Sequence, residues 1–256
     1  MSEQVTVITG ASGGIGEELA YCAARAGRKV VMVARSADKM KVMAEKIVAA
    51  GGKQPEIVAL DLGDLKSGEM LATALKAKNF KVAEIVNNAG YALAGDIEDL
   101  DHADQVAMIE LNVRMLTDLS LQFMREILKA KGGILNVAST AAFMPGPNMT
   151  VYYATKAYVL SFTEALHHEL RGRARVTALC PGPVPTGFQA RASRGKGLWI
   201  AKFSVASASD VADAGWRAFE RGKRVVIPGL LNKLAVWFVP FTPRPLLLRA
   251  VSAVSR

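Results

Sequence analysis

Tyr152 and Lys156 stand four residues apart. On a helix that spacing puts both side chains on one face, with the ammonium beside the phenol. A tyrosine in water has a pKa of about 10 and is a poor base at neutral pH. A neighbouring positive charge favours the phenolate and moves the group toward the range where general acid–base catalysis is efficient. Tyr153 is adjacent but has the wrong spacing to Lys156. Ser139 ends an apolar run just ahead of this helix, in Asn136-Val137-Ala138-Ser139. Its hydroxyl can hydrogen-bond a substrate carbonyl oxygen or the phenol. Proton transfer at an oxygen atom is the chemistry these three residues suit.

A second constellation lies near the N-terminus. Thr9-Gly10-Ala11-Ser12-Gly13-Gly14-Ile15-Gly16 joins an apolar run to a stretch with helical periodicity. Glycines permit a tight turn and let backbone approach a pyrophosphate closely. The helix start then offers free N–H groups and the positive end of its dipole. Dinucleotide sites that take NAD usually place an acid about 20 residues further on, to bind the ribose 2′-hydroxyl. Here the second run ends in Ala34-Arg35-Ser36, with no acid. Arg35 would pair with a 2′-phosphate and Ser36 would add a hydrogen bond, which favours NADP(H) over NAD. The other reading of Arg35 is a solvated strand end.

These residues need a scaffold, and the chain supplies one in alternation. Apolar runs at Val5–Thr9, Lys29–Ala34, Ile57–Leu60, Ala83–Asn87, Gly133–Ala138, Val176–Leu179 and Val225–Ile227 read as seven strands. Helical stretches separate them at Ile15–Ala26, Ala37–Ala50, Leu65–Lys78, Ala103–Ala130, Tyr152–Leu170 and Val211–Arg221. Gly27 is placed to end the first helix and Asp64 to cap the third. Continuous apolar strands suit a parallel sheet buried on both faces, and crossover helices imply a doubly wound α/β domain. Residues 1–229 are expected to form that single catalytic domain. Gly187–Ala208 breaks the rhythm and is expected to be a substrate lid. Its Arg191, Arg194 and Lys196 either meet an anionic substrate or are solvated.

The order of these parts resembles the classical branch of the short-chain dehydrogenase/reductase family. The glycine pattern is T-G-x-x-x-G-x-G, the segment Asn87-Asn88-Ala89-Gly90 follows the fourth strand, and Ser139, Tyr152 and Lys156 follow in sequence. The resemblance covers about residues 4–229. It implies a Rossmann-type fold and reversible hydride transfer between nicotinamide and a carbonyl or secondary alcohol. Tyr152 is then the general acid/base, Ser139 positions the oxygen, and Lys156 holds the nicotinamide ribose. By the same resemblance Asn112, in Leu111-Asn112-Val113, anchors a water in a proton relay. Asp61, followed by Leu62, meets the adenine; Asn88, Ala89 and Gly90 border the cofactor. Pro181, Gly182, Val184 and Thr186 line the nicotinamide end. One departure is Ala138, where many members carry a second serine. Homodimers or homotetramers are usual in the family. A cofactor sensor without turnover is the alternative, although such proteins tend to lose the tyrosine or lysine retained here.

Composition narrows the remaining choices. Of 256 residues, 51% are hydrophobic, which excludes a disordered chain. The net charge of +9 is scattered, with no interleaving of basic and aromatic residues, so nucleic-acid binding is not expected. Cys22 and Cys180 read as buried small hydrophobes, and no metal-ligand spacing occurs. No run of eighteen apolar residues and no leader are seen, so a cytoplasmic protein is expected. The segment from Leu230 is strongly apolar, carries Trp237 and Phe238, is interrupted by Pro240, Pro243 and Pro245, and ends in an amphipathic stretch, Leu246–Val254. It reads either as a contact with another subunit or as a peripheral membrane contact.

Overall fold

The computed structural model describes residues 2–185 and 206–255. Seven strands form one sheet: β1 (Glu3–Thr9), β2 (Val30–Ala34), β3 (Glu56–Ala59), β4 (Phe80–Asn87), β5 (Gly133–Val137), β6 (Arg175–Leu179) and β7 (Val225–Val226). Their order is β3-β2-β1-β4-β5-β6-β7, and every pairing is parallel. The expected doubly wound sheet is therefore present, wholly parallel among the described residues.

Strand pleating sends alternate side chains to two cores. Ile8, Met32, Val86, Leu135 and Leu179 face one side. There they meet α1 (Gly14–Arg25), α2 (Ala37–Ala49) and α8 (Ala208–Glu220), with Leu19, Met40, Ile47, Trp216 and Phe219 as the large fillers. Val7, Val33, Ile85, Ile134 and Val176 face the other side, against α3 (Ser67–Ala77), α5 (Leu116–Gln122), α6 (Met124–Ala130) and α7 (Thr150–Glu169). Both cysteines are buried, as expected. Gly27, at φ 76°, follows the last turn of α1 in the left-handed conformation that glycine favours.

Three expectations need correction. The stretch Ala103–Ala130 is not one helix. It runs as α4 (His102–Ile109), a π-helical turn (Glu110–Met115), α5 and α6, with a break at Phe123. The wide turn carries Asn112, whose side chain is tied inward to two neighbours and whose periodicity alone gave no sign of it. Asp64 does not cap α3. Its carboxylate accepts from Lys66 N–H at 2.8 Å in a turn, and the helix starts at Ser67. Ser139 lies two residues beyond β5, where its hydroxyl accepts from Ala141 N–H and caps a 3-10 turn, Thr140–Phe143.

Buried polar side chains fasten α5 and α7 to the sheet. Asn87 Nδ2 donates to Ser120 Oγ on α5 (3.0 Å) and to Asn136 Oδ1 on β5 (2.9 Å). Asn136 Nδ2 donates to Thr163 Oγ1 on α7 at 2.9 Å. These bonds fix the height of α7 on the sheet, and with it the height of Tyr152 and Lys156. Replacing Asn136 by Ala removes two buried hydrogen bonds, leaving one N–H of the Asn87 amide without its acceptor and the Thr163 oxygen without its donor. Urea denaturation is expected to show a loss of about 2–3 kcal/mol; a loss under about 0.5 kcal/mol would deny the network its structural part.

Candidate active site

A cleft of about 550 Å³ opens at the carboxyl ends of β1, β4, β5 and β6. This is where the strand order reverses, and where ligands bind in open α/β sheets. A larger groove, about 840 Å³, lies around the last turn of α7 and the start of β6. It is lined by Lys131, Arg171 and Arg173 among others, and none of the predicted site residues reaches it. The predicted site residues gather in the smaller cleft.

At one end of that cleft, backbone comes unusually close to backbone. Gly10 (φ 65°) and Gly14 (φ 60°) take left-handed conformations in the turn between β1 and α1. A Cβ on Gly10 would lie 2.8 Å from Asn88 Nδ2 and 2.9 Å from Ala89 Cα. One on Gly16 would overlap Gly10 O and Asn88 Nδ2. The approach is stitched by Thr9, whose Oγ1 accepts from Asn88 N–H (2.9 Å) and Ala89 N–H (3.0 Å). Asn88 Nδ2 donates in turn to Thr9 O at 3.0 Å and Gly10 O at 3.2 Å. Above this seam α1 begins without a side-chain cap, and Gly13 faces open space. Ser12, Gly13, Gly14 and Ile15 line the cleft there, with exposed helix-start amides suited to an anion.

Arg35 and Ser36 also line it, and so does Lys39 in the first turn of α2, which sequence reasoning passed over. A second cation four residues after Arg35 was the available signal. Arg35 Nη1 lies 3.8 Å from Asp61 Oδ2. Asp61 therefore stands beside this edge through Arg35, while the side chain of Leu62 is buried in the core. The far wall is Asn88, Ala89 and Gly90, with Pro181, Gly182 and Val184 beyond. Thr186 and nearly all of the expected lid lie outside the described residues.

The other end of the cleft brings the four candidate catalytic residues together, each between 1% and 9% exposed. Ser139 Oγ accepts from Ala141 N–H at 3.1 Å, lies 3.4 Å from Pro181 O, and is hydrogen-bonded to the Tyr152 phenol. Lys156 Nζ donates to Val137 O at 2.8 Å and lies 5.9 Å from the centre of the Tyr152 ring. Asn112 Nδ2 donates to Tyr91 O (2.9 Å) and Thr155 Oγ1 (3.2 Å), while its Oδ1 accepts from Tyr91 N–H (3.1 Å). A Cβ on Gly90 would lie 2.8 Å from Asn112 Oδ1 and 3.9 Å from Lys156 Nζ. The absence of that carbon lets Asn112 and Lys156 approach the same point. Thr9, Thr155 and the Val137 carbonyl, all positioning groups, were missed in the sequence because their partners are distant in the chain.

Electrostatics here depart from the sequence expectation. Burial pushes the Tyr152 phenol up to about 12, with Ser139 holding it lower and the neighbouring Tyr153 raising it. Burial also pulls Lys156 down to about 8. Loss of water sets the direction of the Tyr152 shift, and the Lys156 ammonium donates to the Val137 carbonyl. Tyr152 is protonated at neutral pH, and its buried phenol is a weaker acid than a solvated tyrosine. Met149 and Tyr153 complete the wall beside it.

Comparison with known proteins agrees with this geometry. A protein-family model described as short chain dehydrogenase matches residues 4–197. The 11-beta-hydroxysteroid dehydrogenase-like 4A of Arabidopsis thaliana is 30% identical over 246 residues, 95% of this chain and 82% of that protein. Among solved structures, a short-chain dehydrogenase from Sphingobium yanoikuyae in complex with NADPH has a TM-score of 0.80 and 27% identity, covering 94% of this chain and 97% of that one. A short chain dehydrogenase/reductase from Burkholderia phymatum in complex with NAD has a TM-score of 0.81 and 27% identity, covering 93% and 92%. The chain belongs to the short-chain dehydrogenase/reductase family and is an NAD(P)-dependent oxidoreductase of that family.

Proposed function

We propose that this protein reduces a carbonyl compound with NADPH, NAD(H) being the weaker alternative, and that Tyr152 supplies the proton. The observation that carries the reading is one cleft with two ends. One end is a bare helix start flanked by Arg35 and Lys39; the other holds Ser139, Tyr152 and Lys156. The residues fit a dinucleotide, because Gly10 and Gly16 clear the floor and Gly13 leaves space above the amides of α1. Ser12, Gly13, Gly14 and Ile15 would hold the diphosphate, Arg35, Ser36 and Lys39 the 2′-phosphate, and Lys156 the nicotinamide ribose. Asp61 and Leu62 would face the adenine with their backbone or carboxylate. Asn88, Ala89, Gly90, Pro181, Gly182, Val184 and Thr186 would border the rest. Bound there, the nucleotide supplies the hydride.

The chain's own residues do the rest. Ser139, pinned by Ala141, holds the substrate oxygen beside the phenol. Tyr152, neutral at pH 7 as an ordinary phenol and more firmly so for its burial, gives its proton to that oxygen. Lys156 and Asn112, close to one point beside Gly90, return a proton from solvent through an intervening water. Residues 1–229 serve as the catalytic unit and 230–256 as an extension. We assign the protein to the cytoplasm; no helix among the described residues is long and apolar enough to cross a membrane. A homodimer or homotetramer is supported by exposed Ile109, Leu121 and Tyr158 on the outer faces of α4, α5 and α7.

Fluorescence titration with NADPH and NADH, followed by consumption against a panel of ketones and aldehydes, tests the reading. NADPH is expected to bind more tightly and to be consumed. Tyr152→Phe is expected to lower turnover at least about a hundredfold with unchanged nucleotide affinity; a nearly unchanged rate refutes the acid. Arg35→Asp is expected to weaken NADPH about ten- to a hundredfold and leave NADH little affected. Equal loss for both nucleotides would remove Arg35 from the 2′-phosphate. A glycine pair separates fold from ligand. Gly10→Ala is expected to cost about 1 kcal/mol or more in thermal unfolding. Gly13→Ala should leave stability within about 0.5 kcal/mol and still weaken both nucleotides. Wild-type binding by that variant would place the diphosphate elsewhere.

A further inference from the structure

The extension folds as α9 (Leu230–Phe238), a 3-10 turn (Val239–Phe241) and α10 (Arg244–Ser255). Leu230, Leu231, Leu234, Trp237 and Phe238 recur at i, i+1, i+4, i+7 and i+8, which is one stripe of a helix. In a globular protein such a stripe faces the core. Here it faces outward: these five and Phe241 are between 45% and 72% exposed, and Val236 alone of α9 is buried. The rings of Trp237, Phe238 and Phe241 touch, with Trp237 at 4.9 Å and 5.1 Å from the other two. Leu246 and Leu248 add exposed apolar surface on α10. Single exposed leucines are ordinary, but a contiguous aromatic and aliphatic patch marks an interaction surface.

Charge selects the partner. Between Gly229 and Arg256 the sequence has Lys233, Arg244, Arg249 and Arg256, and neither aspartate nor glutamate. Lys233, Arg244 and Arg249 are exposed. A twofold contact of this face with a second copy would set those cations against their own kind, with no acid of the segment to pair them. An anionic lipid surface answers both features. Trp and Phe favour the headgroup boundary, Leu enters below it, and Lys and Arg meet the phosphates. Nine residues of α9 span only about 14 Å, so the helix lies in the interface plane and does not cross.

We propose that residues 230–255 are a peripheral docking surface for an anionic membrane. The surface is joined to the cleft. On their inner side Leu247 and Val251 pack with Met149, Tyr152 and Tyr153. Asn232 of α9 sits where a Cβ on Gly182 would be, 2.5 Å from its side-chain atoms. A docked protein therefore holds the substrate end of its cleft next to the lipid.

Co-sedimentation of the full chain with vesicles of phosphatidylcholine and phosphatidylglycerol in equal parts tests this. The protein is expected to pellet with these vesicles at low salt, and far less with phosphatidylcholine alone or at high salt. Trp237→Ser with Phe241→Ser, and separately Lys233→Glu with Arg249→Glu, should each cut binding at least about tenfold. Both pairs change exposed side chains, so thermal unfolding should stay at the wild-type value. No association with the anionic vesicles, or association that neither pair weakens, overturns the proposal. So does sedimentation velocity in which the tryptophan and phenylalanine pair converts a wild-type dimer into monomers, since a second copy then covers the face. The readout is binding, so it stands or falls apart from the catalytic reading.

Discussion

An ammonium group almost stripped of water must find acceptors or surrender its proton, and the placement of Lys156 depends on that. Its acceptor is Val137 O, in the last residue of β5. The bond holds the side chain across the strand end, where the cleft begins. Its reach is set by the height of α7, and that height is set by the buried amides of Asn87 and Asn136. Tyr152 rides on the same helix one turn earlier. The polar core beneath the sheet thus fixes the geometry of the groups above it. The same dryness that holds Lys156 raises the pKa of the Tyr152 phenol above its ordinary value.

The second constraint is steric. Where β1 and β4 part company, the chain must turn into α1 while leaving the helix amides bare. That requires backbone against backbone, and a single extra carbon on Gly10 or Gly16 destroys the fit. Thr9 and Asn88 lock the approach with four hydrogen bonds between residues nearly eighty positions apart. Ligand space and fold stability consequently rest on different glycines of the same turn: Gly10 and Gly16 serve the packing, Gly13 the opening above it.

The parallel sheet was legible because strands buried on both faces must be continuously apolar, and Val30–Ala34 and Gly133–Val137 are. The shared face of Tyr152 and Lys156 was legible from helical spacing. What periodicity cannot carry is environment. It gave Asn112 a place on a long helix but not the π turn that brings it to Tyr91 and Thr155. It set a cation beside Tyr152 but not the burial that raises the phenol, nor the carbonyl that claims the cation. Composition marked the segment from Leu230 as strongly apolar without giving the helical stripe of α9 or the way it faces. Asp64 had the right side chain for a cap, yet its carboxylate closed a tighter turn one step early. Lys39 was hidden by its ordinary setting, an exposed lysine in the first turn of a helix.

The edge beside Arg35 shows how little an existing partner need constrain a ligand. Arg35 and Asp61 lie 3.8 Å apart, and both side chains are more than half exposed. A pair in that setting contributes about 1 kcal/mol or less. Were Arg35 to meet a 2′-phosphate as proposed, withdrawing it from Asp61 would cost little against a doubly charged group whose hydrogen bonds to a guanidinium are shorter and stronger. Lys39 on the same rim leaves the edge with two cations and one acid, so its net sign remains positive. An acid at the position of Arg35 would reverse that balance. On the proposed reading, discrimination at this rim would follow from the charge at the end of β2, with Asp61 tempering it without deciding it.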